Sequence, residues 1–139
     1  MGTLHQISTA FVGGMAFDTV IDGHTIRLDT KTTGGGNNSG PSPKPLLLSA
    51  LAGCTGMDIV SLLNKMKVNF DQFSIQTKAE LTDEHPRVYA SAEVIYKIKI
   101  AETERTKMEK AVNLSKEKYC GVSAMLGKAF PIKFSIEYL

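Results

Sequence analysis

The chain has 139 residues, 42% of them hydrophobic, and a formal net charge of +2, the balance of one globular domain over 1–139 with room for a core of its own. No block of like charges suggests a nucleic-acid arm, and no uncharged apolar run reaches the ~18 residues of a membrane span, so neither nucleic acid nor membrane is an expected partner. The opening MGTLHQISTAFVGG has no basic segment followed by an apolar one, which makes the cytoplasm the expected location and keeps both cysteines reduced.

In chain order, residues 4–29 predict two or three antiparallel strands, with Asp22-Gly23 between FDTVI and HTIRL as a two-residue hairpin turn at positive φ. Residues 31–43, KTTGGGNNSGPSP, carry four glycines and two prolines and predict the longest loop, open to motion. Pro43 and Pro45 suit a first helical turn, with Ser42 or Ser39 as cap. From there to about Lys65 the residues predict a helix apolar on nearly all sides, hence buried on most of them, within the fold or against another chain. Gly53 and Gly56 each cost up to ~1 kcal/mol in a helix interior relative to alanine, which predicts close approach by another backbone. FSIQTKAEL and AEVIYKIKI alternate as half-buried antiparallel strands. A second, amphipathic helix follows from about Thr103, with Met108, Ala111, Val112, Ser115 and Tyr119 on one stripe. CGVSAMLGKA predicts a short helical turn ending near Gly127, and PIKFSIEYL a closing strand. The order is α+β.

Cys54 and Cys120 are the residues with chemistry to weigh. Their spacing fits neither a CxxC redox pair nor zinc ligands. Cys54, in SALAGCTGMDIV, reads equally as core filling or as a reactive thiol: an apolar setting disfavours the thiolate, and Asp58 at i+4 disfavours it further, so a reactive Cys54 requires a cation. Cys120 precedes a helix start, where free amide donors favour a thiolate; packing at the helix junction is its other reading. GGGNNSG lacks the spacing of a phosphate-binding loop. His5, His24 and His85 have no partner at metal-ligand spacing, so neither metal nor cofactor is expected.

GPSPKPLLLSALAGCTGMDIVSLLNKM followed by AVNLSKEKYCGVSAMLGKAFPIKFSIEYL resembles the OsmC/Ohr-like family, in its broad OsmC-like subgroup. The resemblance implies an α+β fold of antiparallel sheets forming an intertwined homodimer, the long apolar helix at its buried centre and two thiols facing each other near the interface. It further implies a thiol-dependent peroxidase. Cys54 would be the peroxidatic thiol that attacks the O–O bond of an organic hydroperoxide or of hydrogen peroxide and becomes sulfenic acid; Cys120 would resolve it to a disulfide, which a dithiol then reduces. Family peroxidases hold the thiolate with an arginine oriented by a glutamate. Here the glutamate position falls at Pro45; Arg27 is the candidate cation, with Asp29 or Asp58 as substitute acid. The missing glutamate keeps a second reading open, a non-peroxidase dimer that binds a small molecule or senses redox state through its thiols. A third reading is a dimer whose cysteines only pack.

Overall fold

Asp22 and Gly23 take φ of 52° and 80°, the two left-handed residues of a type I′ turn, and join β2 (Ala16–Ile21) to β3 (His24–Leu28) as the Asp-Gly pair predicts. With β1 (Ser8–Gly13) they form a three-stranded antiparallel sheet in the order β1-β2-β3. The computed structural model describes residues 2–139, whose contacts fall into two compact units, Met1–Leu47 and Leu48–Leu139.

In the first unit the glycine-rich segment is an ordered loop built around Asp29. That buried carboxylate accepts the backbone N–H of Thr30 (2.7 Å), Asn37 (3.3 Å) and Ser39 (3.0 Å) and the Ser39 hydroxyl (2.6 Å). Ser39 therefore serves Asp29 rather than capping the helix. Gly36 and Gly40 are required because a Cβ would collide with the Thr30 carbonyl at one and with the Arg27 backbone at the other. The loop folds as an anion cradle does, and the anion is the chain's own.

Helix α1 (Pro43–Lys65) begins at the end of the first unit and runs into the second. It is 23 residues long with a mean hydropathy of 1.8 over 18 residues, long and apolar enough to cross a membrane by length and composition alone, which corrects the expectation that no segment qualifies. Only one stripe of it is fully buried within the chain: Leu51, Thr55, Ile59 and Leu63 at four-residue spacing. Met57 on the opposite side is 77% exposed.

The second unit carries β4 (Phe70–Leu81), β5 (Tyr89–Ile100) and β6 (Ile132–Tyr138) in that order. β4 and β5 pair antiparallel, with Ile75 opposite Tyr96 and Thr77 opposite Val94. β6 pairs parallel to β5, a departure from purely antiparallel sheets, because the chain crosses back through two helices before pairing again. Alternation holds in β5 from Ala92 to Ile98, where Ala92, Val94, Tyr96 and Ile98 are buried. A register irregularity, Glu80 opposite Ser91 and Leu81 opposite Tyr89, ends it in both strands, and Leu81 turns outward. The core joins the α1 stripe to Val94, Tyr96 and Ile98 of β5 and to Met108, Ala111 and Val112 of α2 (Arg105–Leu114).

Beyond α2 the helix widens into one π turn, Ser115–Tyr119, closed by Cys120 N–H donating to the Ser115 carbonyl at 2.8 Å. At 3.6 residues per turn Tyr119 would follow Ser115 onto the buried stripe. The extra residue turns Tyr119 out to 50% exposure and brings Cys120 in at 3%. Helix α3 (Gly121–Gly127) starts there, the short helical turn that CGVSAMLGKA predicts.

Candidate active site

Cys54 and Asp58 lie one turn apart on α1 and so share a face; Cys120 reaches them from the junction of the π turn and α3. The two sulfurs and a carboxylate oxygen of Asp58 all lie within 4.8 Å of one another. Both thiols are free, Cys54 half-buried and Cys120 buried. Folding has thus brought together two cysteines remote in sequence, and an acid with them.

Two of the three, Cys120 and Asp58, are anchored by hydrogen bonds. The Cys120 sulfur caps α3, accepting the Ser123 N–H at 3.4 Å, while the Ser123 hydroxyl donates to the Cys120 carbonyl at 3.0 Å. Asp58 Oδ2 accepts the Ser115 hydroxyl at 2.9 Å. Ser115 Oγ lies 2.8 Å from Thr55 Oγ1, which lies 2.7 Å from the Tyr96 hydroxyl, and Thr55, Ser115 and Tyr96 are fully buried. A hydroxyl has one proton to donate, so the first link sets the others. Ser115 gives its proton to Asp58, Thr55 gives its own to Ser115, and Tyr96 gives its own to Thr55. The chain of donors runs from the core to the carboxylate beside the thiols. Burial, the largest influence, pushes the Tyr96 hydroxyl up to about 12, with its bond to Thr55 pulling the other way.

Burial also pushes the Cys54 thiol above its ordinary range. The Val122 backbone N–H opposes that rise, whereas the hydrogen bond and charge of Cys120 and the charge of Asp58 add to it. No lysine or arginine of residues 48–139 is among these influences. Within the second unit the site therefore favours the protonated thiol.

Arg27, the candidate cation, lies on β3 opposite Asp18 on β2. Its Nε donates to Asp18 Oδ1 and a terminal nitrogen to Oδ2 at 3.1 Å. That hydrogen bond lowers the Asp18 pKa and raises that of Arg27. The acid that holds Arg27 is thus Asp18, not one of the two expected acids, Asp29 or Asp58; the Asp29 oxygens are bonded to the loop.

Of the groups weighed in the sequence, Cys54, Cys120 and Asp58 are brought together by the fold, whereas the polar network of Thr55, Ser115 and Tyr96 is not foreseen there. In the sequence Ser115 lies on the stripe of the second helix and Tyr96 on the inward phase of AEVIYKIKI. Their signal was a hydroxyl at the inward phase of an otherwise apolar pattern, since a buried hydroxyl requires a partner.

A family profile described as OsmC-like protein matches residues 35–135. The chain belongs to the OsmC-like family. The Escherichia coli K12 protein YhfA is 31% identical over 133 residues, spanning 95% of this chain and 96% of YhfA. Among solved structures, a hypothetical protein from Aquifex aeolicus VF5 superposes with a TM-score of 0.85 at 26% identity, over 99% of this chain and 98% of that one. An organic hydroperoxide resistance protein OsmC from Legionella pneumophila has the same fold, with a TM-score of 0.69 at 18% identity over 97% of each chain. The α+β order read from the sequence is that of OsmC-like proteins.

Proposed function

We propose that this OsmC-like protein is a thiol-dependent peroxidase that reduces apolar organic hydroperoxides by a two-cysteine cycle, works as a homodimer and is recharged by a dithiol in a reducing, cytoplasmic compartment. The observation that carries the reading is the approach of the Cys54 and Cys120 sulfurs to within 4.8 Å. Cys54, the more accessible of the two, attacks the terminal peroxide oxygen. The O–O bond breaks, the alcohol leaves with the thiol proton, and Cys54 becomes sulfenic acid. Cys120 attacks that sulfur, water leaves, and the disulfide forms; two further thiols restore both cysteines. A disulfide needs sulfurs about 2.05 Å apart, so closure takes a rotation of side chains.

A thiolate needs a positive partner. The reading gives that role to Arg27, with Asp18 as the orienting acid where the family glutamate is replaced by Pro45. The homodimer is supported by what the chain leaves uncovered. Gly53 has no atom within 4 Å of where a Cβ would stand, and at Gly56 the near neighbour is the Ile75 side chain, so the predicted backbone approach is not made within the chain. Both glycines line an open groove of ≈ 790 Å³ between α1 and β4, with Ala52, Met57, Val60 and Phe73. A second copy is its proposed occupant.

The test is turnover of cumene hydroperoxide with a dithiol supplied. Wild type is expected to turn over, Cys54→Ser to lose consumption, and Cys120→Ser to react once and stall at the sulfenic acid or overoxidise. Arg27→Met is expected to slow the first step. Equal residual turnover in both cysteine variants rejects the assigned roles, and an unchanged rate in Arg27→Met removes Arg27 from the mechanism.

The Asp58 carboxylate beside both thiols favours a second reading, a small-molecule binder or thiol redox sensor. It predicts rapid thiol loss on peroxide addition with no turnover when a dithiol is supplied.

A further inference from the structure

Cys54 Sγ, Cys120 Sγ and an Asp58 carboxylate oxygen all lie within 4.8 Å of one another, and two of the three donors are held by hydrogen bonds to their ligand atoms. The Ser123 N–H donates to Cys120 Sγ at 3.4 Å, and the Ser115 hydroxyl donates to Asp58 Oδ2 at 2.9 Å. Behind Ser115 the buried Thr55 and Tyr96 hydroxyls fix the direction of that last bond. Outer hydrogen bonds of this kind orient and tune metal ligands. Two thiolates beside the Asp58 carboxylate gather three negative charges, which a partly buried site sustains only with positive charge bound among them.

A divalent cation supplies the missing charge. Two sulfurs and one carboxylate select a soft, zinc-class ion, whereas magnesium and calcium require six or more oxygens. Around tetrahedral zinc, sulfurs at about 2.3 Å from the metal stand ~3.8 Å apart, within side-chain adjustment of the observed cluster. Three protein ligands leave the fourth position open.

We infer that the reduced protein binds one zinc-class divalent cation per chain through Cys54 Sγ, Cys120 Sγ and Asp58. Two S–H bonds break and two metal–sulfur bonds form; two protons leave to solvent and no electrons move. The same sulfurs make the disulfide, so metal and oxidation exclude each other. The inference does not rest on the peroxidase reading, because it requires only reduced thiols.

The test is titration of reduced protein with Cd²⁺ in the absence of oxygen, following sulfur-to-cadmium charge-transfer absorption and proton release. Saturation at one equivalent per chain with two protons released is expected, and Co²⁺ should give the visible bands of a tetrahedral site. Cys54→Ser and Cys120→Ser are each expected to lose stoichiometric binding, and Asp58→Asn to weaken it on the order of tenfold. Wild type blocked with N-ethylmaleimide is expected to bind no cadmium, which keeps the outcome readable if a cysteine variant fails to fold. No charge-transfer band at one equivalent overturns the site, as does full binding by blocked protein; unchanged affinity in Asp58→Asn overturns the carboxylate ligand. Peroxide enters none of these measurements, so they stand whether or not turnover is observed.

Discussion

Asp29 shows how one side chain organises a loop that composition alone marks as loose. The hydrogen bonds of the Ser39 hydroxyl, then of the Ser39 and Thr30 amides, hold its carboxyl at about 2, against an ordinary value near 4. A depressed carboxyl contributes stability that is complete above the unfolded value and is lost as pH falls from ~4 towards ~2. The melting temperature is expected to drop through that window more steeply in wild type than in Asp29→Asn, and identical profiles contradict the role. Tyr96 tests the other polar device. Tyr96→Phe leaves the buried Thr55 oxygen without its donor and is expected to cost about 1–3 kcal/mol in denaturant unfolding; a neutral change contradicts the directed chain of hydroxyls. At this scale the sequence made the cysteines legible, since reactive residue types are few. The network stayed illegible, because which hydroxyls meet depends on how α1, β5 and the π turn pack and not on spacing along the chain.

At the scale of elements, the π turn decides which residue meets Cys54. Removing one residue from it sets Cys120 four positions after Ser115, the α-helical spacing that keeps it on the buried stripe. Deletion of the exposed Lys118 is therefore expected to leave the circular dichroism spectrum near wild type and to retain disulfide formation on treatment with diamide. Loss of disulfide formation in a deletion variant that stays folded contradicts the phase argument. The hairpin at Asp22-Gly23, the strands β4 to β6 and helices α1 and α3 were all legible, because turn chemistry and hydrophobic period are local signals. Two features were not. The widening at Ser115 breaks the 3.6 period on which the stripe through Tyr119 was drawn, and the parallel pairing of β6 is set by a crossover that no local pattern encodes.

For the whole molecule, the uncovered apolar surface is the consequence that matters. In the N-terminal unit Phe11, Val12, Phe17, Val20 and Ile26 stay exposed, and in the second unit Met57 does, apolar surface that a partner copy would cover. Light scattering is expected to give twice the chain mass, and Met57→Glu to shift the population towards monomer; a monomeric wild type contradicts the dimer. The central claim concerns the two sulfurs and is tested most directly by counting thiols in reduced protein before and after one equivalent of cumene hydroperoxide. The account predicts that both thiols disappear together, with an intramolecular Cys54–Cys120 disulfide in the mass spectrum and both thiols restored by a dithiol. Persistence of both thiols, or loss of Cys54 alone to sulfinic acid while Cys120 stays free, contradicts it.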